Sequence, residues 1–390
     1  MVCLLKNWCM FIIGLCVLGF LAVCDPGNLM AGNQYARVQR IVSPGGIEIW
    51  YVKEPNIPVI SVTLGFRGGS VNDPVNRLGL GNFALALLDE GAGKLNGIEF
   101  RRALADRGIS FRKDLSHDLV SISLQTLTKH SEKAFSLLGV ALQETHFEEA
   151  AVNRIRSQII NIIAEKKHNP RIIAGQRWYQ DTFQNHPYGR AIDGTIEGVK
   201  AVNSDDLKMW VNRYLTLNNL IVGAAGNVSP NEIARLIDNA LIGINSSSSI
   251  SRISDFNFPD VGNTLIIRMP LTQSVVTFGL SGFKRNDPDF YAAHIMNHIL
   301  GGGGFTSRLF SEIRENRGLA YSISSGLSPR RASATLVGGA GTANARVKET
   351  LNIIKREWEK MARHGVTENE LNDAKTYLTG AYPLKFSESG

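Results

Sequence analysis

The chain has 390 residues, of which 44% are hydrophobic and 20% are charged, and its formal net charge is +7. This apolar content is enough for one large or two medium cores, and it excludes an intrinsically disordered chain. The Lys and Arg residues are scattered rather than gathered into runs, so we expect no nucleic-acid binding, although a mildly basic surface favours anionic partners.

The first 31 residues have the layout of a secretory signal. Lys6 precedes an apolar stretch at 8–23, and this charged-then-apolar order is typical of such signals. The stretch is short for a membrane span, which needs about 20 residues. The sequence therefore predicts a signal peptide or an uncleaved N-terminal anchor over residues 1–31. The protein is expected to be exported, either periplasmic or attached to the membrane through this segment.

The cysteines fall within the first 24 residues, at Cys3, Cys9, Cys16 and Cys24. None remains for a disulfide framework or a Cys-based metal site in the folded body. Cys24 ends a lipoprotein-like box, in which Val23 is bulkier than the motif prefers. Lipidation at Cys24 and ordinary cleavage near Ala31 are therefore alternatives.

Residues 35–245 have the pattern of one α/β domain. β-Branched and aromatic residues favour strands at 39–42, 47–52, 60–66 and 119–127. Helical periodicity covers residues 80–88, 97–107, 131–144 and 148–167.

A linker at 246–255, which opens with a run of serines, separates this domain from a second one at 256–390. The second part repeats the order of the first, with strands predicted at 275–280, 319–325 and 332–338 and helices at 292–300, 307–314, 345–364 and 367–378. The repeat predicts an α+β fold of two homologous domains, each a mostly antiparallel sheet covered by helices on one face, which enclose a chamber. Fewer residues follow the last helix than follow its counterpart near residue 167, so we expect the second domain to be truncated and its sheet to lack strands.

Four short motifs follow one another along the chain. The first is GGS at 68–70 leading into GLGNF at 79–83, and the second is HPYGR at 186–190 with an apolar strand at 220–224. The third and most specific is LGGGG at 300–304, followed by SRLF at 307–310 and RGLAY at 317–321. The fourth is a helical ending that starts with GVT at 365–367. Because these four motifs occur in this order, the chain resembles the insulinase/pitrilysin family of zinc metallopeptidases. The resemblance is strongest to the branch of the mitochondrial processing peptidase and its bacterial two-subunit relatives.

Active members of that family are inverted zincins. The two His of a His-x-x-Glu-His helix bind zinc, and the Glu between them activates a water molecule. Aligned on the GLGNF motif, these positions hold Asn82, Leu85 and Ala86. An aliphatic side chain cannot ligate a divalent cation. The resemblance therefore implies a member whose zinc motif is lost.

The third zinc ligand of the family, a Glu on a later helix, falls near Ile162 and Ile163. Glu165 is at least half a helical turn away from that position. We therefore expect this chain to bind no zinc and no other cofactor.

Other polar residues do not replace the lost site. His294 and His298 are four apart on a predicted helix, but no acid accompanies them, so packing is the favoured interpretation. Asp89 and Glu90 are expected to be helix-end charges rather than catalysts.

Arg314 and Tyr321 lie seven residues apart, at a helix end and at the following strand. The resemblance implies that residues at these positions reach the zinc site and hold the substrate carbonyl and the developing oxyanion. A phenol and a guanidinium are suitable donors for this task. The structural alternative is a surface ion pair for Arg314 and a core position for Tyr321.

The glycine-rich loop Gly301, Gly302, Gly303 and Gly304 lacks the Lys and Ser/Thr of a phosphate-binding loop. By resemblance to the non-zinc subunit of the processing peptidase, it is a candidate substrate-binding gate. A tight helix-to-helix turn is the equal alternative.

These features favour a non-catalytic subunit of an exported heterodimer. A homologous zinc-bearing partner would hold the metal and hydrolyse peptide substrates, while this chain contributes Arg314, Tyr321 and part of the chamber wall. The alternatives are a structural or peptide-binding scaffold protein of the same fold and an autonomous zinc metalloendopeptidase.

Overall fold

The computed structural model describes residues 37–248, 250, 252–258 and 262–384. The predicted signal or anchor segment, with Cys24, lies outside these residues. Within the described ranges, no helix is both long enough and apolar enough to cross a membrane.

The strands agree with the sequence pattern to within a few residues at most positions. They are β1 Gln39–Val42, β2 Glu48–Lys53, β3 Val59–Arg67, β4 Gly91–Ala92, β5 Leu95–Asn96, β6 Ser110–Leu115, β7 Leu119–Leu127, β8 Leu220–Gly226, β9 Gln273–Ser281, β10 Ala320–Pro329 and β11 Ala334–Ala343. Strand β6 was not predicted, because its charged residues hide the alternation that marks a half-buried strand.

The predicted helices are present, and several others join them. They are α1 Leu80–Ala86, α2 Gly97–Ala105, α3 Ser131–Gln143, α4 Glu149–Lys166, α5 Pro170–Phe183, α6 Ile196–Ala201, α7 Ser204–Tyr214, α8 Pro230–Leu241, α9 Phe290–Asn297, α10 Arg308–Phe310, α11 Val347–His364 and α12 Glu368–Leu384. The two helices predicted at 292–300 and 307–314 differ from the expectation. Each starts as an α-helix and widens into a π-helical turn, at His298–Gly302 and at Ser311–Glu315.

The first sheet has six strands in the order β1-β2-β8-β3-β7-β6. Neighbouring strands are antiparallel except β2 and β8, which are parallel. On β3, Ile60, Val62, Leu64 and Phe66 are at most 1% exposed, because every second side chain points toward the helices of this half. This face of the sheet therefore forms the larger core.

The second sheet has the order β10-β11-β9 and is antiparallel throughout. The same order and directions relate β6, β7 and β3 in the first sheet. The α+β fold and the internal repeat predicted from the sequence are thus confirmed. A second, smaller core lies between this sheet and the helices α10, α11 and α12.

Helix α5 of the first half packs against the second sheet on the face away from that smaller core. Arg171 at its start donates a 3.1 Å hydrogen bond to the Ser322 hydroxyl. Trp178 lies so close to Gly279 that a Cβ there would be 2.6 Å from the indole. The second sheet is therefore covered on both faces, whereas the sequence indicated helices on only one.

Candidate functional site

The positions aligned with the family's zinc ligands carry no suitable donors. On α1, Asn82 and Ala86 are half-buried and Leu85 is 3% exposed, while Ile163 on α4 is also buried. Over the described ranges, no group of three or more His, Cys, Asp or Glu side chains is placed to hold a metal ion. An amide and aliphatic groups do not make a zinc site, so the residues present do not fit the metal.

The start of α1 is instead fixed by a buried carboxylate. Asp73 is 3% exposed, and its two oxygens accept 3.0 Å hydrogen bonds from the N–H groups of Gly79 and Gly81. Burial raises the pKa of Asp73 to about 7, although these hydrogen bonds and Arg190 oppose the shift. Gly79 has a φ of +100°, which favours glycine. An acid placed before a Gly-rich helix start is the signal that could have identified this cap.

The acids that follow α1 are held in ion pairs. Asp89 forms a 2.5 Å ion pair with Lys113, and Glu90 forms ion pairs with both Arg101 and Arg154. Asp89 and Glu90 therefore have the contacts of structural charges rather than of catalytic acids.

His294 of α9 and His298, the first residue of the π-helical turn that follows it, lie against aromatic rings. His298 stacks on Tyr377 with 5.1 Å between ring centroids, and His294 lies parallel to Phe290 at 6.2 Å. Burial and the neighbouring His294 lower the pKa of His298. This arrangement is one of packing rather than of a metal-binding pair.

Arg314 and Tyr321 are in contact. Arg314 lies in the π-helical turn Ser311–Glu315, and Tyr321 is the second residue of β10. The guanidinium carbon is 4.7 Å from the centroid of the Tyr321 ring, and Tyr321 is 81% exposed. Tyr321 therefore does not fill the core, so that alternative is wrong.

Two phenylalanines complete this arrangement. The Arg314 guanidinium lies 4.8 Å from the Phe310 ring and 5.8 Å from the Phe305 ring. The two rings meet edge to face at 4.8 Å, with Phe310 buried and Phe305 70% exposed. We call Phe305, Phe310, Arg314 and Tyr321 the aromatic–arginine cluster. The sequence analysis missed both phenylalanines, although Phe310 stands four residues before Arg314, the spacing of one helical turn.

Arg314 forms no ion pair within the described part of the chain, in contrast to the arginines beside it. Arg308 makes two 2.6 Å contacts with Glu370, and Arg317 contacts Glu312 at 2.6 Å. The alternative of a surface ion pair for Arg314 thus finds no support among these residues.

The glycine-rich loop is closely packed at its first three glycines, whereas nothing lies within 4 Å of a Cβ added to Gly304. A Cβ on Gly301 would lie 2.4 Å from the Ser325 hydroxyl, and one on Gly302 would lie 2.5 Å from the Asn297 amide nitrogen. Asn297 and Ser325 are buried and joined by a 2.8 Å hydrogen bond. The loop connects α9 directly to the segment that carries Phe305.

Two family models match the chain in succession. Residues 48–196 match the insulinase (peptidase family M16) model, and residues 201–378 match the peptidase M16 inactive domain.

Curated relatives cover most of the chain. One is the non-peptidase homolog YmxG of Helicobacter pylori, 26% identical over 94% of this chain and 84% of the relative. Another is an uncharacterized zinc protease of Streptomyces coelicolor, 25% identical over 95% of this chain and 82% of the relative.

Solved structures share the fold. The chain superposes with a TM-score of 0.84 on a peptidase M16 inactive domain from Pseudomonas fluorescens, with 26% identity over 88% of this chain and 84% of that one. A protease from Helicobacter pylori gives a TM-score of 0.83 at 18% identity, over 91% of this chain and 87% of that one. Since the two successive family models match, the chain belongs to the insulinase family of peptidases, family M16.

Proposed function

We propose that this chain is a non-catalytic subunit of an exported, heteromeric M16 peptidase. A zinc-bearing homologue would be its partner, and peptides would be its substrates. The observation that carries the proposal is an asymmetry between the two halves. The helix positions that would bind zinc hold Asn82, Leu85 and Ala86, whereas Arg314 and Tyr321 are in contact and accessible to solvent.

A non-catalytic role also has support among the relatives. The Helicobacter pylori relative is named a non-peptidase homolog, and the matching second domain is named an inactive domain. The Streptomyces coelicolor relative is named an uncharacterized zinc protease. The chemistry of the three α1 positions supports the non-catalytic role independently, because none of them offers an imidazole or a carboxylate.

In the proposed heterodimer, the role of this chain is to orient the peptide. The Arg314 guanidinium and the Tyr321 hydroxyl are hydrogen-bond donors that can hold a substrate carbonyl oxygen and the negative charge that grows on it. Their position on a helical turn and a strand limits how much they must reorganise on binding. The metal chemistry belongs to the partner, and no step of it is assigned to residues of this chain.

The proposal is tested by co-expressing this chain with a His-x-x-Glu-His homologue from the same organism and assaying peptide cleavage. We expect the pair to be active and this chain alone to be inactive. Tyr321→Phe or Arg314→Ala should lower the rate of the pair by about 10²-fold, the usual cost of losing one oxyanion donor. Arg317→Ala, which removes a neighbouring arginine paired with Glu312, is the matched control and should stay within a few-fold of wild type.

Unchanged turnover in both the Arg314 and Tyr321 variants, with the heterodimer intact, would contradict the proposed role and favour a structural scaffold. Stoichiometric zinc in the purified single chain would instead support an autonomous metallopeptidase. Export is tested separately, by fractionating cells and digesting the exposed protein with protease. Recovery of the full-length protein in the cytoplasm would contradict that part of the proposal.

A further inference from the structure

Strand β9 has an unpaired edge where its counterpart in the first sheet has a neighbour. The two halves contain VTLGF at 62–66 and VTFGL at 276–280, and these stretches lie in β3 and β9. β3 pairs with β7 on one side and with β8 on the other, both antiparallel. Within the described ranges, β9 pairs with β11 alone. The backbone N–H and C=O groups of β9 that point away from β11 are therefore a template for one more strand.

The side chains of β9 are correspondingly less buried than those of β3. Phe66 of β3 is completely buried and lies opposite Leu220 of β8. The residue at the same place on β9, Leu280, is 43% exposed. Phe278 is half-buried, whereas its counterpart Leu64 is 1% exposed. A strand on this edge would remove both apolar side chains from water, which is favourable.

The other edge strands of the two sheets are protected against further pairing, and β9 is not. Charges, proline and bulges are the usual protection of an edge. β1 carries Arg40, β6 carries Arg112 and Asp114, and β10 has a bulge near its start and ends at Pro329. β9 runs for nine residues, Gln273–Ser281, with no charge, proline or bulge. Its edge is therefore open to pairing along its whole length.

An apolar segment before β9 indicates how much fits on this edge. Leu265, Ile266 and Ile267 are 52%, 77% and 45% exposed and belong to no strand or helix. They precede β9 as β2 precedes β3, and in the first sheet β8 lies between β2 and β3. By the same order, a strand added to β9 would pass between β9 and this segment, whose apolar side chains it would also cover. The repeat therefore indicates a single strand and not the edge of a second sheet.

The chemistry of the edge selects an uncharged, apolar strand. Residues 264–281 contain one charged side chain, Arg268. β8, which fills the equivalent edge in the first half, has the uncharged sequence LIVGAAG, and its side chains at Val222 and Ala224 are buried. A charged side chain at such positions would be removed from water without a partner. The fitting ligand is thus an extended segment with apolar residues at every second position.

We propose that the edge of β9 binds an extended, uncharged and apolar segment of another polypeptide, which adds to the second sheet as an antiparallel strand. Its backbone pairs with β9, and its alternate apolar side chains cover Phe278 and Leu280. Tyr321 lies on β10, at the opposite edge of this sheet. The inference therefore concerns a second site and does not depend on the proposed role of Arg314 and Tyr321.

The probe for the test is a fluorescently labelled synthetic peptide with the sequence of residues 218–228, which contains β8. Its binding to the full chain is measured by fluorescence anisotropy. We expect saturable binding that a Val222→Lys substitution in the peptide weakens at least about tenfold. In the protein, Leu280→Lys places a charge on the edge and should weaken binding by a similar factor. Ile221→Lys in the protein is the matched control, because Ile221 is also 43% exposed but lies in the first sheet, and it should bind the peptide as the wild type does.

Hydrogen–deuterium exchange of the wild-type chain locates the bound peptide without relying on a variant. The peptide should slow exchange of the amides at 273–281 and leave those of β6, a protected edge, unchanged. Absence of peptide binding, equal binding by Leu280→Lys, or slower exchange at β3 instead of β9 would overturn the proposal. Slower exchange at β9 on raising the protein concentration without peptide would also overturn it, because a second copy of the chain would then occupy the edge.

Discussion

The backbone N–H of Ala332, in the second half, donates a 2.9 Å hydrogen bond to the hydroxyl of Tyr188, in the first half. That hydroxyl in turn donates to Asp118, with both carboxylate oxygens 2.8 Å away. Asp118 also accepts the N–H of Arg331 at 3.0 Å. One phenol and one carboxylate thus hold the β10–β11 turn against the first half, and Arg330 covers the Tyr188 ring with its guanidinium 4.9 Å from the centroid.

Removing the Tyr188 hydroxyl should loosen this junction. In Tyr188→Phe, the ring keeps its packing, but the Ala332 N–H and the Asp118 carboxylate lose a buried partner. Leaving such groups unsatisfied costs about 1–3 kcal/mol. We expect the free energy of unfolding, measured by urea denaturation, to fall by that amount.

Tyr179→Phe is the matched control for this junction. Tyr179 stacks on Phe183 and lies under Arg330, whose guanidinium also covers the Tyr188 ring. The hydroxyl of Tyr179 has no hydrogen bond within the described ranges. Its removal should change stability by less than about 0.5 kcal/mol. An equal loss in the two variants would show that the bridging hydroxyl is not what stabilises the junction.

His117 should make the junction sensitive to acid. Burial lowers the pKa of His117 to about 4, with Arg330 adding to the effect. The unfolded chain therefore binds a proton near pH 6.5, while the folded chain stays neutral until about pH 4. Stability is lost as the pH falls through this range, by at most about 3 kcal/mol. His117→Gln should flatten the dependence of unfolding free energy on pH between 4 and 6.5, whereas His364→Gln, on the exposed end of α11, should not.

Asp73 should make the stability of the protein depend on pH in the opposite direction to His117. Because burial raises the pKa of Asp73 from 3.8 to about 7, the folded chain binds a proton that the unfolded chain has already released. Stability therefore falls as the pH rises from about 4 to above 7, by at most about 4 kcal/mol.

Asp73→Asn should remove this dependence on pH in urea denaturation between pH 4 and 8. It should also cost some stability at low pH, because an amide offers only one oxygen to the two N–H groups of Gly79 and Gly81. Asp205→Asn, at an exposed position of α7, should retain the wild-type slope. A wild-type slope in Asp73→Asn would show that this carboxylate does not titrate in the neutral range.

Much of the fold could be predicted from the sequence because its strands alternate cleanly. Strand β7 runs from Leu119 to Leu127 as predicted, with buried side chains at every second position. Helix α5 was missed because its apolar residues are divided between the second sheet, which Trp178 contacts, and the rings of Tyr188 and Phe256, which Phe183 contacts, so the helix lacks one continuous apolar stripe. Helices α7 and α8 were missed despite readable start signals, the Asn203 capping box and the Ser229 cap followed by Pro230.

The candidate site was predictable only in part. The sequence placed Arg314 at a helix end and Tyr321 at the start of the following strand, and the structure has them in a π-helical turn and as the second residue of β10. The phenylalanines were missed because they lie between two π-helical turns, Phe305 in the 3-10 turn Gly304–Thr306 and Phe310 at the end of α10, and this irregular backbone follows no simple period. Their burial could not be predicted either, since Phe310 is buried and Phe305 is exposed.

The glycine-rich loop offers a test of whether its glycines are needed for packing. Gly301→Ala would bring a methyl group within 2.4 Å of the Ser325 hydroxyl and 3.0 Å of Leu309. The Asn297–Ser325 hydrogen bond would have to break or shift, at a cost of about 1–3 kcal/mol. Gly326→Ala is the control, because this glycine is exposed on β10 and nothing lies within 4 Å of an added Cβ. Thermal denaturation should show a lower Tm for Gly301→Ala and little change for Gly326→Ala. If the Gly301 variant instead melts at the wild-type temperature while heterodimer activity falls, the glycines serve substrate movement rather than a tight turn.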